Sequence, residues 1–179
     1  MLYKLGKNQG KFDSIDPLPF SGLPKEKDLE DLLAKHFWDV LFEGNELMPV
    51  AQERSWQPEA DIYALDKRGA LVIFELKRQH AGEGAVHQAL RYCEKAAHWQ
   101  YDRLEKMYAN YLGRPANLQA EHQENFDLEH TLDKSAFNGA QRLVVVGSAG
   151  DAELIRNVDY WKSQGLRLDF IPYRVYEIH

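Results

Sequence analysis

Hydrophobic positions change their period several times along the chain. Residues 60–80, "ADIYALDKRGALVIFELKRQH", form two apolar runs joined by a polar turn at Lys67-Arg68-Gly69. Short apolar runs bounded by turn residues predict two strands. "LMPVAQERSW" (47–56) predicts a strand before them, "RLVVVG" (142–147) a buried strand after them, and residues 166–176 a last one. Helical spacing fills the gaps. Leu29, Leu32, Leu33, His36 and Val40 make one stripe over about 25–43, ended by Gly44-Asn45. Val86, Leu90, Cys93, Ala97, Leu104, Tyr108 and Tyr111 share a narrow stripe at 100° per residue, which predicts one long helix over 84–112. Gly113 and Pro115 stop it, and a further helix is expected over 150–163. This order predicts an α/β fold, a mixed central β-sheet flanked by helices. Residues 2–15 suit a hairpin across "KNQG", and "DPLPFSGLP" (16–24) is a Pro-rich connector. Residues 1–24 are thus an N-terminal extension and 25–179 a single domain, with 114–138 an insertion holding one short helix.

The central turn has a consequence for the acids at the far ends of its strands. If Gly69 takes the left-handed position of a three-residue hairpin loop, residue 66 pairs with 70. Tyr63 then faces Ile73, and Asp61 faces Glu75. Opposed residues share a face, with Cβ atoms ~4.5–5.5 Å apart. Alternation adds Lys77 to that face and turns Leu76 to the other side. Two carboxylates so placed repel unless positive charge lies between them. Hard oxygen donors suit Mg2+ or Mn2+, with the Leu76 backbone carbonyl as a third protein ligand. The same spacing also serves two strand-end acids with Lys77 as their salt-bridge partner, so spacing alone leaves both readings open.

The helix that follows adds polar groups. Gln88 and Tyr92, four apart, lie on one face and are expected on the flank of the apolar stripe. Arg91, Lys95 and Lys106 share or adjoin that side. An amide, a phenol and cations together suit a phosphate backbone, although an ordinary solvated face has the same composition.

The Asp61, Glu75-Leu76-Lys77 and Gln88-Ala-Leu-Arg-Tyr92 series resembles the PD-(D/E)XK nuclease superfamily, in its RecB-like branch. Residues 53–96, "ERSWQPEADIYALDKRGALVIFELKRQHAGEGAVHQALRYCEKA", are similar throughout to the nuclease domain of the NucS (EndoMS) endonucleases. The resemblance implies a restriction-endonuclease-like core. It also implies a metal-dependent nuclease that hydrolyses phosphodiester bonds, with DNA as the favoured substrate. Asp61 and Glu75, with the Leu76 carbonyl, would ligate Mg2+ or Mn2+. Lys77 would position the attacking water and stabilise the charged transition state, and Gln88 and Tyr92 would support the site. The family often adds a Glu from the first helix. Glu30 is favoured over Glu26 for that role. Arg54, Arg78, Arg91 and Lys95 are the expected nucleic-acid contacts. The chain departs from the pattern at Glu59, where a glycine often stands two residues before the Asp. NucS-like chains also carry an N-terminal domain that helps to bind DNA and dimerise. Fewer than 30 residues precede the first helix here, so mismatch specificity is not carried over.

Composition narrows the alternatives. The chain has 179 residues, 44% of them hydrophobic, enough for one domain with a core. Cys93 is the only cysteine, which excludes an intrachain disulfide. No apolar run approaches the ~18 residues of a membrane span, and the N-terminus lacks a signal-like segment, so a cytoplasmic protein is expected. The net charge of −6 argues against nucleic acid as a partner, but acid is concentrated in residues 118–133 (Glu121, Glu124, Asp127, Glu129 and Asp133, with no Lys or Arg). That segment is expected to lie away from a functional face. The seven histidines lack zinc-ligand spacing; His80 and His87, near the expected site, suit a phosphate contact but equally an ordinary surface position. Trp99 and Tyr101 suit either base stacking or the core. The alternative to a nuclease is a non-catalytic nucleic-acid-binding or assembly module on the same fold, and a homodimer is compatible with either.

Overall fold

The computed structural model describes residues 2–5, 12–15, 47–52, 60–77, 83–147 and 152–173. Strands β1 (Leu2–Leu5) and β2 (Phe12–Ile15) pair antiparallel as the expected hairpin. The main sheet holds β3 (Leu47–Gln52), β4 (Ile62–Asp66), β5 (Leu71–Lys77), β6 (Gln141–Gly147) and β7 (Leu168–Pro172), in that spatial order. β3 pairs antiparallel with β4, and β4 with β5, while β5, β6 and β7 are parallel to one another. Parallel neighbours need long crossovers. Helices α1 (Glu83–Ala96), α2 (Tyr101–Leu112) and α3 (Leu118–Asn125) lie in the first crossover, and α4 (Ala152–Ser163) in the second. The fold is the expected mixed sheet with flanking helices. No helix among the described residues is long and apolar enough to cross a membrane.

Alternation divides the strands between two buried clusters. Tyr63, Leu65, Leu71, Ile73, Leu143 and Val145 face the helices and pack with Val86, Ala89, Leu104, Leu118 and Leu154. Ile62, Ala64, Val72, Phe74, Leu76, Val144 and Val146 form a separate cluster on the opposite face. Because both faces are buried, β5 and β6 read as continuous apolar runs. Pro49 lies in β3 beside a register shift between Pro49 and Ala51. A residue without an N–H fits a strand bonded on one side and a bulge.

The helix expected over 84–112 is two helices. α1 ends at Ala96, and the chain turns through residues 97–100 before α2 begins. Asn138 accounts for the break: its side-chain amide donates to the Ala96 and Trp99 carbonyls at 2.8 and 3.0 Å. Those carbonyls are thereby satisfied without a continuing helix. Trp99 turns into the core against Tyr63, at 5.0 Å between ring centroids, and the Arg103 guanidinium lies 4.4 Å from the indole centroid. The apolar stripe shifts accordingly. Ala97 and Tyr111 are exposed, and Ala85, Val86, Ala89, Tyr92 and Ala96 are the buried residues of α1. Gly113 ends α2 in the left-handed conformation, φ 69°, as expected.

Residues 114–138 contribute to the core and also brace the β4–β5 turn. Leu118, His122, Phe126 and Phe137 are buried. Gly69 adopts φ +80°, and the Asp66 carboxylate accepts the Arg68 and Ala70 N–H groups, both at 2.8 Å. The Asn138 N–H donates to the Gly69 carbonyl at 2.8 Å, and His122 Nε2 lies 2.8 Å from the Asp66 carbonyl. A carbonyl can only accept, so Nε2 carries the proton. A Cβ at Gly69 would meet the Ala136 carbonyl at 3.0 Å. The acidic segment therefore packs on the turn, at the far end of β4 and β5 from Asp61 and Glu75.

The His122 ring is 0% exposed, between Phe126 and Phe137, and burial holds its pKa below the ordinary value. The unfolded chain binds this proton near pH ~6.5, above the folded pKa. Its contribution to stability is thus complete above that pH and is lost as pH falls toward the folded pKa. Urea midpoints at pH 7.5 and pH 5 should show a smaller acid loss in His122→Gln than in the wild type. Equal losses would contradict this account of the turn.

Candidate active site

The β4–β5 register is the expected one: Tyr63 pairs with Ile73, and Ile62 with Phe74. One step further places Asp61 across from Glu75. Asp61, half-buried just before β4, accepts the Leu76 N–H on Oδ2 at 2.5 Å. Its carboxylate is thus fixed against the Glu75-Leu76-Lys77 end of β5. Within a strand, the N–H and C=O of one residue point to the same neighbour. The Leu76 carbonyl therefore looks to the Asp61 side, while the Leu76 side chain is buried in the cluster on the opposite face. Behind Asp61, the Ala60 N–H donates to the Tyr63 hydroxyl at 3.2 Å, and the Tyr63 ring rests on Trp99.

Glu75 is 1% exposed, and its Oε1 lies 2.5 Å from Lys77 Nζ. Lys77 is 28% exposed, so the pair opens to solvent on the lysine side. Lys77 Nζ also donates to Gln88 Oε1 at 3.3 Å, and Gln88 Nε2 donates to the Tyr92 hydroxyl at 2.9 Å. A chain of contacts thus runs from the end of β5 to α1: Glu75, Lys77, Gln88, Tyr92. Gln88 and Tyr92 do not occupy a solvated flank, as the spacing suggested. Gln88 is half-buried toward the sheet, and Tyr92 is buried in the core. The difference follows from the shifted stripe of α1, which turns these two positions inward.

Arg91 and Lys95 are exposed on α1, with the Arg91 guanidinium 5.8 Å from the Tyr92 ring centroid. His87 is exposed beside them. Arg54, Arg78, Glu26, Glu30, Glu59, His80 and the helix expected over 25–43 lie outside the described residues. Trp99 and Tyr101 are both core residues: Tyr101 packs edge-on to Phe137 and carries the Lys134 ammonium 4.5 Å from its ring centroid. Base stacking by either ring is excluded by that burial. Two supporting residues escaped sequence reasoning, Tyr63 and Tyr173. The Tyr173 hydroxyl donates to the Lys77 carbonyl at 3.2 Å. A tyrosine in an apolar run signals core, and nothing in its local sequence announces the hydroxyl's partner.

Among the described residues no group of three or more His, Cys, Asp and Glu side chains could hold a metal. What the site offers is two carboxylates and an inward-facing carbonyl. Among the described residues that is an all-oxygen donor set, which fits a hard divalent cation that keeps several waters.

Residues 25–109 match the family model of the endonuclease NucS C-terminal domain. The endonuclease NucS of Aeropyrum pernix is 41% identical to this chain over 64 residues, 35% of this chain and 24% of that protein. The likeness is to the NucS endonucleases. Among solved structures, a repair endonuclease from Pyrococcus abyssi is 19% identical with a TM-score of 0.45, over 83% of this chain and 46% of that one. EndoMS in its apo form gives 17% and 0.48 over the same shares, and an EndoMS–dsDNA complex gives 16% and 0.45 over 92% and 49%. This chain thus spans about a quarter of the NucS relative and just under half of these structures' chains. The NucS-matched segment contains Asp61, Glu75, Lys77, Gln88 and Tyr92.

The contact between Gln88 and Tyr92 can be isolated by a double-mutant cycle. Gln88→Leu and Tyr92→Phe should each destabilise the protein by about 1 kcal/mol, and the double variant by less than the sum, with a coupling of about 0.5–1.5 kcal/mol. Strict additivity in urea denaturation would show that the two groups do not meet.

Proposed function

We propose that this chain is a metal-dependent nuclease that hydrolyses phosphodiester bonds, with DNA as its substrate. One observation carries the reading: Asp61, Glu75, Lys77 and Gln88 converge at the end of β5, with the Asp61 carboxylate bonded to the E-x-K backbone. The match to the NucS C-terminal domain supports it, as does the likeness to the Aeropyrum endonuclease. A divalent cation, Mg2+ or Mn2+, would be held by Asp61, Glu75 and the Leu76 carbonyl. Bound there, it would supply Lewis-acid polarisation of a phosphate oxygen and offset the two carboxylate charges.

The chain's own residues supply the remaining terms. Glu75 on β5, and Asp61 held just before β4 by the Leu76 N–H, present the donor oxygens from a fixed frame, which keeps reorganisation small. Lys77 holds a positive charge at the rim of the site, where it orients the attacking water and stabilises negative charge developing on the phosphate. Gln88 directs the lysine, because its carbonyl accepts from Nζ while its amide is spent on Tyr92. Arg91 and Lys95, together with Arg54 and Arg78, would bind the phosphate backbone, and Glu30 would complete the acidic set. These basic side chains act on affinity rather than on the reacting atoms.

Two outcomes follow. Saturating Mg2+ or Mn2+ should stabilise the wild type by about 1–3 kcal/mol in thermal melts. Asp61→Asn should abolish that response without destabilising the metal-free protein. A wild-type melting temperature indifferent to millimolar metal would contradict a preformed site. In cleavage assays on labelled DNA, Lys77→Ala should lower the rate by roughly 10²-fold or more while DNA affinity stays within a few-fold. The Arg91→Ala, Lys95→Ala double variant should bind more weakly, with a salt dependence shallower by about 1–2 in slope. Wild type that binds DNA but cuts with neither metal would favour the non-catalytic module.

A further inference from the structure

Lys77 is a flexible side chain at the very end of its strand, where backbone ordering is weakest. Its ammonium is directed by Glu75 and Gln88 on the helix-bearing side of the sheet. Its backbone is held from elsewhere. Lys77 pairs with Gly147 of β6, and Gly147 pairs with Pro172 of β7. The next residue, Tyr173, donates its N–H to the Gly147 carbonyl at 2.9 Å. Its hydroxyl crosses to β5 and donates to the Lys77 carbonyl at 3.2 Å. The half-buried Tyr173 also packs against the cluster of Leu76 and Val146, on the face opposite the site. One residue, 96 positions along the chain from Lys77, thus ties together the ends of three parallel strands.

We infer that Tyr173 is a positioning residue of the candidate site: its hydroxyl fixes the Lys77 backbone so that the ammonium stays between Glu75 and Gln88. This rests on the nuclease reading for its effect on rate, but not for its effect on Lys77 itself. The hydroxyl touches no reacting atom. It acts by limiting the excursions of a strand end that carries a charge required at one place, where a displacement of about 1 Å is enough to cost roughly 10²-fold in rate. Losing a single neutral hydrogen bond loosens the strand end without freeing it, so the expected loss is smaller than that limit.

The test uses Tyr173→Phe in the full chain, with Tyr160→Phe, a change at an exposed tyrosine of α4, as the control. Tyr173→Phe should lower the single-turnover cleavage rate roughly 5- to 10-fold, leave the half-saturating DNA concentration unchanged, and keep the wild-type melting temperature within a few degrees. Tyr160→Phe should match the wild type. An independent readout follows the Lys77 ammonium by NMR of 15N-labelled lysine, assigned by its loss in Lys77→Gln. The signal should be held in the wild type and shifted or exchange-broadened in Tyr173→Phe, whether or not the protein cuts DNA. An unchanged ammonium signal in Tyr173→Phe overturns the proposal. So does a rate loss matched by weaker DNA binding and a lower melting temperature, which marks a merely structural role. Absence of cleavage by the wild type, with the ammonium signal still dependent on Tyr173, would refute the nuclease reading and leave the positioning intact.

Discussion

The pairing of β4 with β5 is the constraint from which the candidate site follows. Side chains alternate with a period of two, so a slip by one residue would send Asp61 to the opposite face from Glu75 and Lys77. Gly69 in the left-handed conformation and the Asp66 carboxylate, which accepts two N–H groups of the turn, set the register. His122, Ala136 and Asn138 then brace that turn from outside the hairpin. The acidic segment, which from charge alone argues against a nucleic-acid partner, is a structural buttress at one end of the strands. The candidate chemistry lies at the other end.

At that end stability and function pull in different directions. Glu75 is 1% exposed, where a charge is costly unless it is paired, and a second carboxylate lies across the ladder. Lys77 offsets part of this through its contact with Glu75, and the Leu76 N–H does the same for Asp61. Three tyrosines hold the surrounding frame: Tyr63 beside Asp61, Tyr92 behind Gln88, and Tyr173 beneath Lys77. Each places a hydroxyl at the edge of an apolar cluster, which orients a polar group while adding buried area. Two acids and a lysine are thus held together at the end of β5, at a cost that the surrounding frame offsets only in part.

Local patterns carry much of this in the sequence. Gly69 and the two apolar runs are enough to give the register, because turn geometry and the two-residue period leave little choice. The mixed sheet follows from the order of the elements. Periodicity predicts one long helix over 84–112 because it continues through residues 97–100, whereas the break depends on Asn138, about forty residues away in sequence. The same break rotates α1 and takes Gln88 and Tyr92 from a flank to the interior. Tyr63 and Tyr173 are not recognisable as supports from sequence, since their partners are backbone groups fixed only by tertiary pairing. Residues 114–138 read as an insertion because their large apolar residues have no regular spacing, yet Leu118, Phe126 and Phe137 are buried, and Leu128 and Leu132 pack against the core.

The most direct measurement is anomalous diffraction from crystals of the full chain soaked in Mn2+. The account predicts one strong peak between the Asp61 and Glu75 carboxylates, with Mn–O distances of about 2.0–2.3 Å and the Leu76 carbonyl as a further ligand, lost in Asp61→Asn. A peak elsewhere, or no peak at that position with both carboxylates ordered, would contradict it.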